Sequence, residues 1–268
     1  MPPSSSPAIS WSHVRSSCLR RRFRVLWATI MPAVVCVSLL TEAQTWTDPI
    51  ESCTDADHPG GAIDGCSRII DSDWAIDRQV MLAFNNRASA HEYLGDHVAA
   101  LDDYSRALAM DPHYGNALYN RGTAYLGMGK LDLAIADFSG LLIIEPRRAD
   151  AYHNRGLAFL RRGDSAAAID DFRSALEINP TLAFAHNNLG VARRRTGNYA
   201  EALSEFSRAI ELTPDYVGAL NNRGEVYLLV QRYVEAAHDF SAALALDPDH
   251  ATAARNLAIA NSYLRSGH

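Results

Sequence analysis

The chain has 268 residues, of which 48% are hydrophobic and 21% charged, a balance that excludes a disordered or fibrous protein and is long enough to bury a core. Its formal net charge is −6 at pH 7, which argues against nucleic acid and anionic lipid as general partners.

The basic residues Arg15, Arg20, Arg21, Arg22 and Arg24 precede an apolar run, VLWATIMPAVVCVSLL, at 25–40. A basic stretch, an apolar stretch interrupted by Pro32 and small residues in TEA at 41–43 have the order of a secretory signal, read here as 1–43 with cleavage after Ala43. An uncleaved N-terminal anchor facing the periplasm, or a lipoprotein acylated on Cys36, are the competing readings. Without 1–43 the chain keeps 20 Lys and Arg against 30 Asp and Glu, so the exported part is more acidic than the whole. No membrane partner is expected after cleavage, and the predicted location is a bacterial periplasm.

Residues 44–80 form an N-terminal segment. Cys18 and Cys36 fall in the signal, which leaves Cys53 and Cys66 as an even pair in an exported chain; a disulfide closing CTDADHPGGAIDGC is expected. The alternative is a free Cys53 and a Cys66 buried as a small residue. PGGAIDGCSRII at 59–70 reads as a half-repeat helix, Ala62 and Cys66 taking its small and plug positions, that shields the front of the region beginning at residue 81.

From 81 to 250 the chain repeats. Prolines 112, 146, 180, 214 and 248 recur every 34 residues and define five units, 81–114, 115–148, 149–182, 183–216 and 217–250. Within a unit, position 8 is Ala88, Gly122, Gly156, Gly190 or Gly224, and position 20 is always alanine, from Ala100 to Ala236. Position 24 is Tyr104, Phe138, Phe172, Phe206 or Phe240, four residues beyond that alanine and so on the same helix face, a large side chain beside a small one. Glycines at 95, 129, 163 and 197 end a first helix, and each proline closes a second. ATAARNLAIANSYLR at 251–265 repeats the first helix alone, so 251–268 is read as a C-terminal capping helix.

These columns resemble the tetratricopeptide repeat family over about two thirds of the chain, with five consecutive units matching. The resemblance implies an all-α fold, a right-handed α-solenoid of helix–turn–helix repeats, with the first helix of each unit lining a concave groove. Departures are Ala88 for glycine, Leu141 for alanine at position 27, and His186 and Arg193 where aromatics are usual. The fourth unit is therefore expected to pack its first helix loosely or to expose it to a partner.

Position 6 is asparagine throughout: Asn86, Asn120, Asn154, Asn188, Asn222 and, in the cap, Asn256, while position 5 varies. Some family members hold a peptide backbone on such an asparagine ladder, and an amide side chain offers both donors and an acceptor to an extended peptide. The resemblance implies that role here, with specificity from variable groove residues including Asn116, Tyr119, Asp150, His153, Phe184 and Asn187. Equally, the asparagines tie neighbouring first helices together, and the two roles are compatible. Position 7 is Arg87, Arg121, Arg155 or Arg223 and position 23 is Asp103, Asp137, Asp171, Glu205 or Asp239, matched columns that predict one structural ion pair per unit; Leu189 breaks the arginine column.

Nothing in the sequence has the spacing of a catalytic or metal motif: His91, Glu92 and His97 do not form H-E-x-x-H, and no phosphate-cradling loop occurs. The chain is read as a non-enzymatic scaffold without cofactor or metal, binding an extended segment of a partner protein. The alternatives are a structural self-assembly module forming a homo-oligomer, or an accessory subunit of an envelope enzyme.

Overall fold

In a computed structural model, residues 49–266 are described; the segment read as a signal lies outside them. They form thirteen helices and no strand. A short helix α1 (Pro49–Cys53) and α2 (Pro59–Ile70) precede five helical hairpins: α3 (Asp77–Tyr93) with α4 (His97–Met110), α5 (Gly115–Gly127) with α6 (Leu131–Ile144), α7 (Ala149–Arg162) with α8 (Ser165–Ile178), α9 (Ala183–Arg195) with α10 (Tyr199–Leu212), and α11 (Val217–Leu229) with α12 (Tyr233–Leu246). α13 (Ala251–Ser266) completes the series. α3 starts at Asp77, four residues ahead of the first 34-residue unit, where Gln79 Oε1 accepts the Ile76 N–H at 3.1 Å and extends the helix backwards.

Each first helix ends in a left-handed residue. Gly95, Gly129, Gly163 and Gly197 have φ between 71° and 96°, and the next residue's N–H reaches back to a carbonyl of the last turn, as Asp164 does to Phe159 at 2.9 Å. In the fifth hairpin Gln231 takes the same conformation, φ 62°, without a glycine's freedom. The second helix is capped at its start by Asp96 and Asp164, whose carboxylates accept N–H bonds from Ala99 and Ala167 at 3.1 Å. At its end, the residue before each proline donates its N–H to the position-27 carbonyl, for example Asn179 to Ala175 at 2.9 Å.

The small and large columns meet inside each hairpin. Phe138, Phe172, Phe206 and Phe240 are fully buried, and a Cβ built on Gly122, Gly156, Gly190 or Gly224 would lie 2.7–2.9 Å from the facing ring, so the helices cross where only hydrogen fits. In the first hairpin Ala88 faces Tyr104, whose hydroxyl shares a 3.2 Å hydrogen bond with Ser89. That burial raises the Tyr104 phenol to about 12.

Hairpins stack in sequence. Consecutive helices touch, and the first helices also touch one another across hairpins, α3 to α5, α5 to α7, α7 to α9, α9 to α11 and α11 to α13. The second helices make no such contact among the described residues. First helices therefore form the inner rank of an all-α solenoid and second helices the outer. α2 packs on α3 in front, and α13 covers α12 and α11 behind.

Candidate functional site

The inner rank displays the asparagine column, and four of its members reach one unit back. Asn120 Nδ2 donates to Asn85 Oδ1 at 3.2 Å, Asn154 Nδ2 to the Tyr119 hydroxyl at 3.1 Å, Asn188 Nδ2 to His153 Nε2 at 3.0 Å and Asn222 Nδ2 to Asn187 Oδ1 at 2.9 Å. Position 5 thus varies in type while presenting an acceptor to position 6 of the next unit in the first four units. Within units, Asn85 and Asn187 lean on Asn86 and Asn188 through 3.3 Å amide contacts, and His153 Nδ1 faces Asn154 Oδ1 at the same distance. The result is a continuous polar seam between first helices.

Burial separates the two columns everywhere but at Tyr119 and Asn256. Asn85, His153, Asn187 and Asn221 are buried, whereas Asn86, Asn120, Asn154, Asn188 and Asn222 are half-buried. Of the residues named for specificity, Asn116, Asp150 and Phe184 are exposed, Tyr119 is half-buried, and His153 and Asn187 belong to the seam. Asn256, in α13, is buried, and the seam changes there: Asn221 turns its amide to Glu225 at 2.9 Å and leaves its own Oδ1 buried without a partner.

His153 is the most perturbed member. Burial among Phe172 and Phe184, whose ring centroids lie 5.6 and 4.6 Å away, lowers its pKa to about 4. Neutral, it carries its hydrogen on Nδ1 toward Asn154 and accepts at Nε2 from Asn188. Beside it, Arg148 stacks its guanidinium 4.5 Å from the Tyr119 ring and is held by Glu145 and Asp150 at 3.1 Å. Arg147, Arg148, Asp150, Asn179, Leu182 and Phe184 line an open cleft of about 780 Å³ at the edge of the inner face.

The predicted ion pairs form in four hairpins. Arg87, Arg121, Arg155 and Arg223 each grip Asp103, Asp137, Asp171 or Asp239 through two parallel bonds of 2.7–2.8 Å. The remaining Nη1 reaches a serine of the preceding outer helix, Ser67, Ser105, Ser139 or Ser207. In the fourth hairpin Leu189 is only 2% exposed and the pair is rebuilt: Glu205 takes His186 Nδ1 at 2.7 Å and has Arg193 Nη2 at 3.9 Å. The first helix of that unit is therefore not loose, because the two unusual residues meet Glu205 from other positions in place of the missing arginine. The serine column is altered with it, Arg173 standing where Ser139 and Ser207 stand in neighbouring units.

A tie that no sequence motif announced links the ends of the inner helices. Arg161 Nη1 donates to the Leu126 carbonyl at 3.1 Å and Arg195 Nη1 to the Leu160 carbonyl at 2.7 Å, each capping the preceding first helix. Its one trace in the sequence is an arginine at position 13 of adjacent units.

At the front of the array Cys53 and Cys66 are disulfide-bonded with Cα atoms 4.5 Å apart, fastening α1 to α2. A Cβ on Gly65 would lie 2.6 Å from Ser52 Cβ, so α1 seats directly on the α2 backbone. Among the described residues there is no cluster of His, Cys, Asp or Glu able to hold a metal, and no helix long and apolar enough to cross a membrane.

Comparison with known proteins agrees with this architecture. Profiles described as tetratricopeptide repeat match residues 82–114, 119–183 and 187–251. Among solved structures, MamA is 25% identical over 61% of this chain and 96% of its own, with a TM-score of 0.58. MamA from Desulfovibrio magneticus RS-1 is 20% identical over 62% of this chain and 92% of its own at a TM-score of 0.57. YrrB, described as a TPR protein with an unusual peptide-binding site, is 22% identical over 74% and 96% at a TM-score of 0.57. The last two are likenesses of fold. No curated protein matches the chain. A 34-residue helical hairpin repeated five times, small residues crossing at an aromatic plug, and matching profiles over most of the array lead to one conclusion: the chain belongs to the tetratricopeptide repeat family.

Proposed function

We propose that this protein-interaction scaffold holds an extended segment of a partner protein along its inner face, with the asparagines of position 6 bonding the segment's backbone. The observation that carries the reading is the split between the two columns. Asn120, Asn154, Asn188 and Asn222 each commit one amide hydrogen to the seam, and an amide nitrogen has two; the second hydrogen, on a half-buried side chain, is available to a peptide carbonyl. Each such bond contributes about 0.5–1.5 kcal/mol net, so affinity requires several at once, and a regularly spaced column supplies them. Tying and binding are then two uses of one amide. The peptide-binding description of YrrB, which shares the fold, is in keeping with this reading.

The disulfide favours an oxidising compartment, and we place the working protein in the periplasm, exported by the 1–43 signal. No chemical step and no cofactor are part of the proposed role.

The test compares wild type with a triple Asn120→Ala, Asn154→Ala, Asn188→Ala variant in co-purification from the envelope fraction, partners being identified by mass. Loss of a partner that the wild type retains, with helix content kept, supports the groove. Because the same substitutions also remove seam bonds, Tyr119→Phe serves as control: it deletes the acceptor for Asn154 and leaves every asparagine in place. Retention of the partner by the triple variant overturns the reading.

A further inference from the structure

The first rung of the asparagine column differs from the rest. Asn120, Asn154, Asn188 and Asn222 each have a first helix ahead of them that offers a position-5 acceptor. Ahead of Asn86 stands only the short helix α1, which touches α3 as the first helices touch one another but offers the Asn86 amide no acceptor among the described residues, and the α1–α2 loop lies beside it. A cavity of about 270 Å³ lies there, lined by the disulfide loop at Cys53, Asp55 and Pro59, by Ala62 of α2, and by Asn86 and Tyr93 of α3. Asn86 Oδ1 is met by Asn85, and among the described residues its Nδ2 has no seam acceptor.

The lining has a definite chemistry. Ala62, Ala90 and Pro59 supply an apolar wall, Tyr93 is 78% exposed and presents a ring, and among the described residues the only charged side chain lining the cavity is Asp55. The hydrogen bond from His58, 2.9 Å away, holds the Asp55 carboxyl below the usual carboxylate range, so it is ionised at neutral pH. The surroundings have the same sign: residues 49–80 contain seven Asp and Glu against two Arg. An apolar-walled pocket with an aromatic ring and a carboxylate complements a long cationic side chain, whose methylenes take the wall and whose head takes the ring face and the charge.

We propose that this cavity seats one lysine or arginine side chain of the bound peptide, with Asn86 donating to the adjoining backbone carbonyl. The inference rests on the groove reading and gives the peptide a register: its basic residue lies at the disulfide end of the array. The Cys53–Cys66 bridge then has a part in binding, because it holds the loop bearing Asp55 against α2.

The test pans a phage-displayed library of random dodecapeptides against the full oxidised chain and against an Asp55→Asn variant. Lysine or arginine is expected to be enriched at one position among peptides selected by the wild type, and the enrichment is expected to vanish with Asp55→Asn. A selected peptide should then bind about threefold more weakly to Asp55→Asn and to Tyr93→Ala, as an exposed ion pair and a cation–π contact imply. Asp73→Asn, an equally acidic exposed site away from the cavity, should leave binding unchanged. Peptides that require Asn120, Asn154 and Asn188 but show no basic preference, or keep it in Asp55→Asn, overturn the cavity assignment and leave the groove standing. If no peptide is selected, the groove reading falls and this inference with it.

Discussion

Replacing His153 by asparagine should flatten the acid side of the stability profile. In the folded chain the pKa of His153 lies at about 4, lowered first by burial, against an ordinary value of 6.5. A histidine depressed in this way is protonated in the unfolded chain before it is in the folded one. Stability is therefore complete above pH 6.5 and drains away as pH falls toward 4. Between pH 8 and pH 5 the loss from this one group is about 2 kcal/mol, which for a folded region of this size is a fall in Tm of roughly 4–8 °C. Protonated, the ring can no longer accept at Nε2, so the bond from Asn188 goes with the proton. Asparagine restores the arrangement seen at Asn187, an acceptor for the next unit and a donor to its own neighbour. The variant loses ring contact with Phe172 and Phe184 and is expected to be less stable at every pH, so the pH slope is what distinguishes the explanations. Thermal melts of wild type and variant at pH 5, 6, 7 and 8 provide it, since every other side chain is common to both proteins. Parallel curves would refute the claim that His153 is buried in its neutral form.

Gln231→Gly should stabilise the fifth hairpin by about 1 kcal/mol in urea unfolding, because Gln231 occupies the left-handed position that glycine fills in the other four hairpins. Arg155→Met leaves the Asp171 carboxylate buried without its partner and should cost about 3–5 kcal/mol, whereas the double replacement Arg155→Met, Asp171→Leu should regain most of that loss in the same assay. Burial already raises the Asp171 pKa, with Arg155 opposing it, so removing the arginine leaves burial unopposed and raises it further. Reduction by dithiothreitol should lower stability by about 3 kcal/mol on the chain-entropy account of a 13-residue separation and expose the α1–α2 segment to limited proteolysis; an unchanged melt on reduction counts against a structural role for the bridge.

The hairpins were legible because the determinants of each lie within one unit. Gly156, Ala168 and Phe172 meet inside a single crossing, and Pro180 and Gly163 end helices by local conformation alone. The matched Arg155 and Asp171 columns were readable for the same reason, sixteen residues apart in the same hairpin. What crossed between units was harder. Nothing in the varied set Asn85, Tyr119, His153, Asn187 announces a shared role until the first helices are set side by side, and only then does each appear as the acceptor for an asparagine 35 residues ahead. The fourth unit misled for a related reason. His186, Arg193 and Leu189 look like separate departures one at a time, whereas His186 and Arg193 together partner Glu205 where Leu189 has displaced the arginine, the longer Glu205 side chain standing where the other units have aspartate. The absence of glycine at 231 was visible in the column, but the backbone keeps its turn there regardless.

Uniform spacing also makes the array editable, with one exception. Excision of 115–148 would bring Asn154 up to Asn85 and Arg155 up to Ser105, pairings equivalent to those already in place, so a shortened array should close without a seam. Excision of 183–216 would set Arg223 against Arg173, two cations where every other junction at Arg223's position has a serine. The fourth hairpin therefore separates two cations of its neighbours, and it is the one module whose removal alone would bring them together.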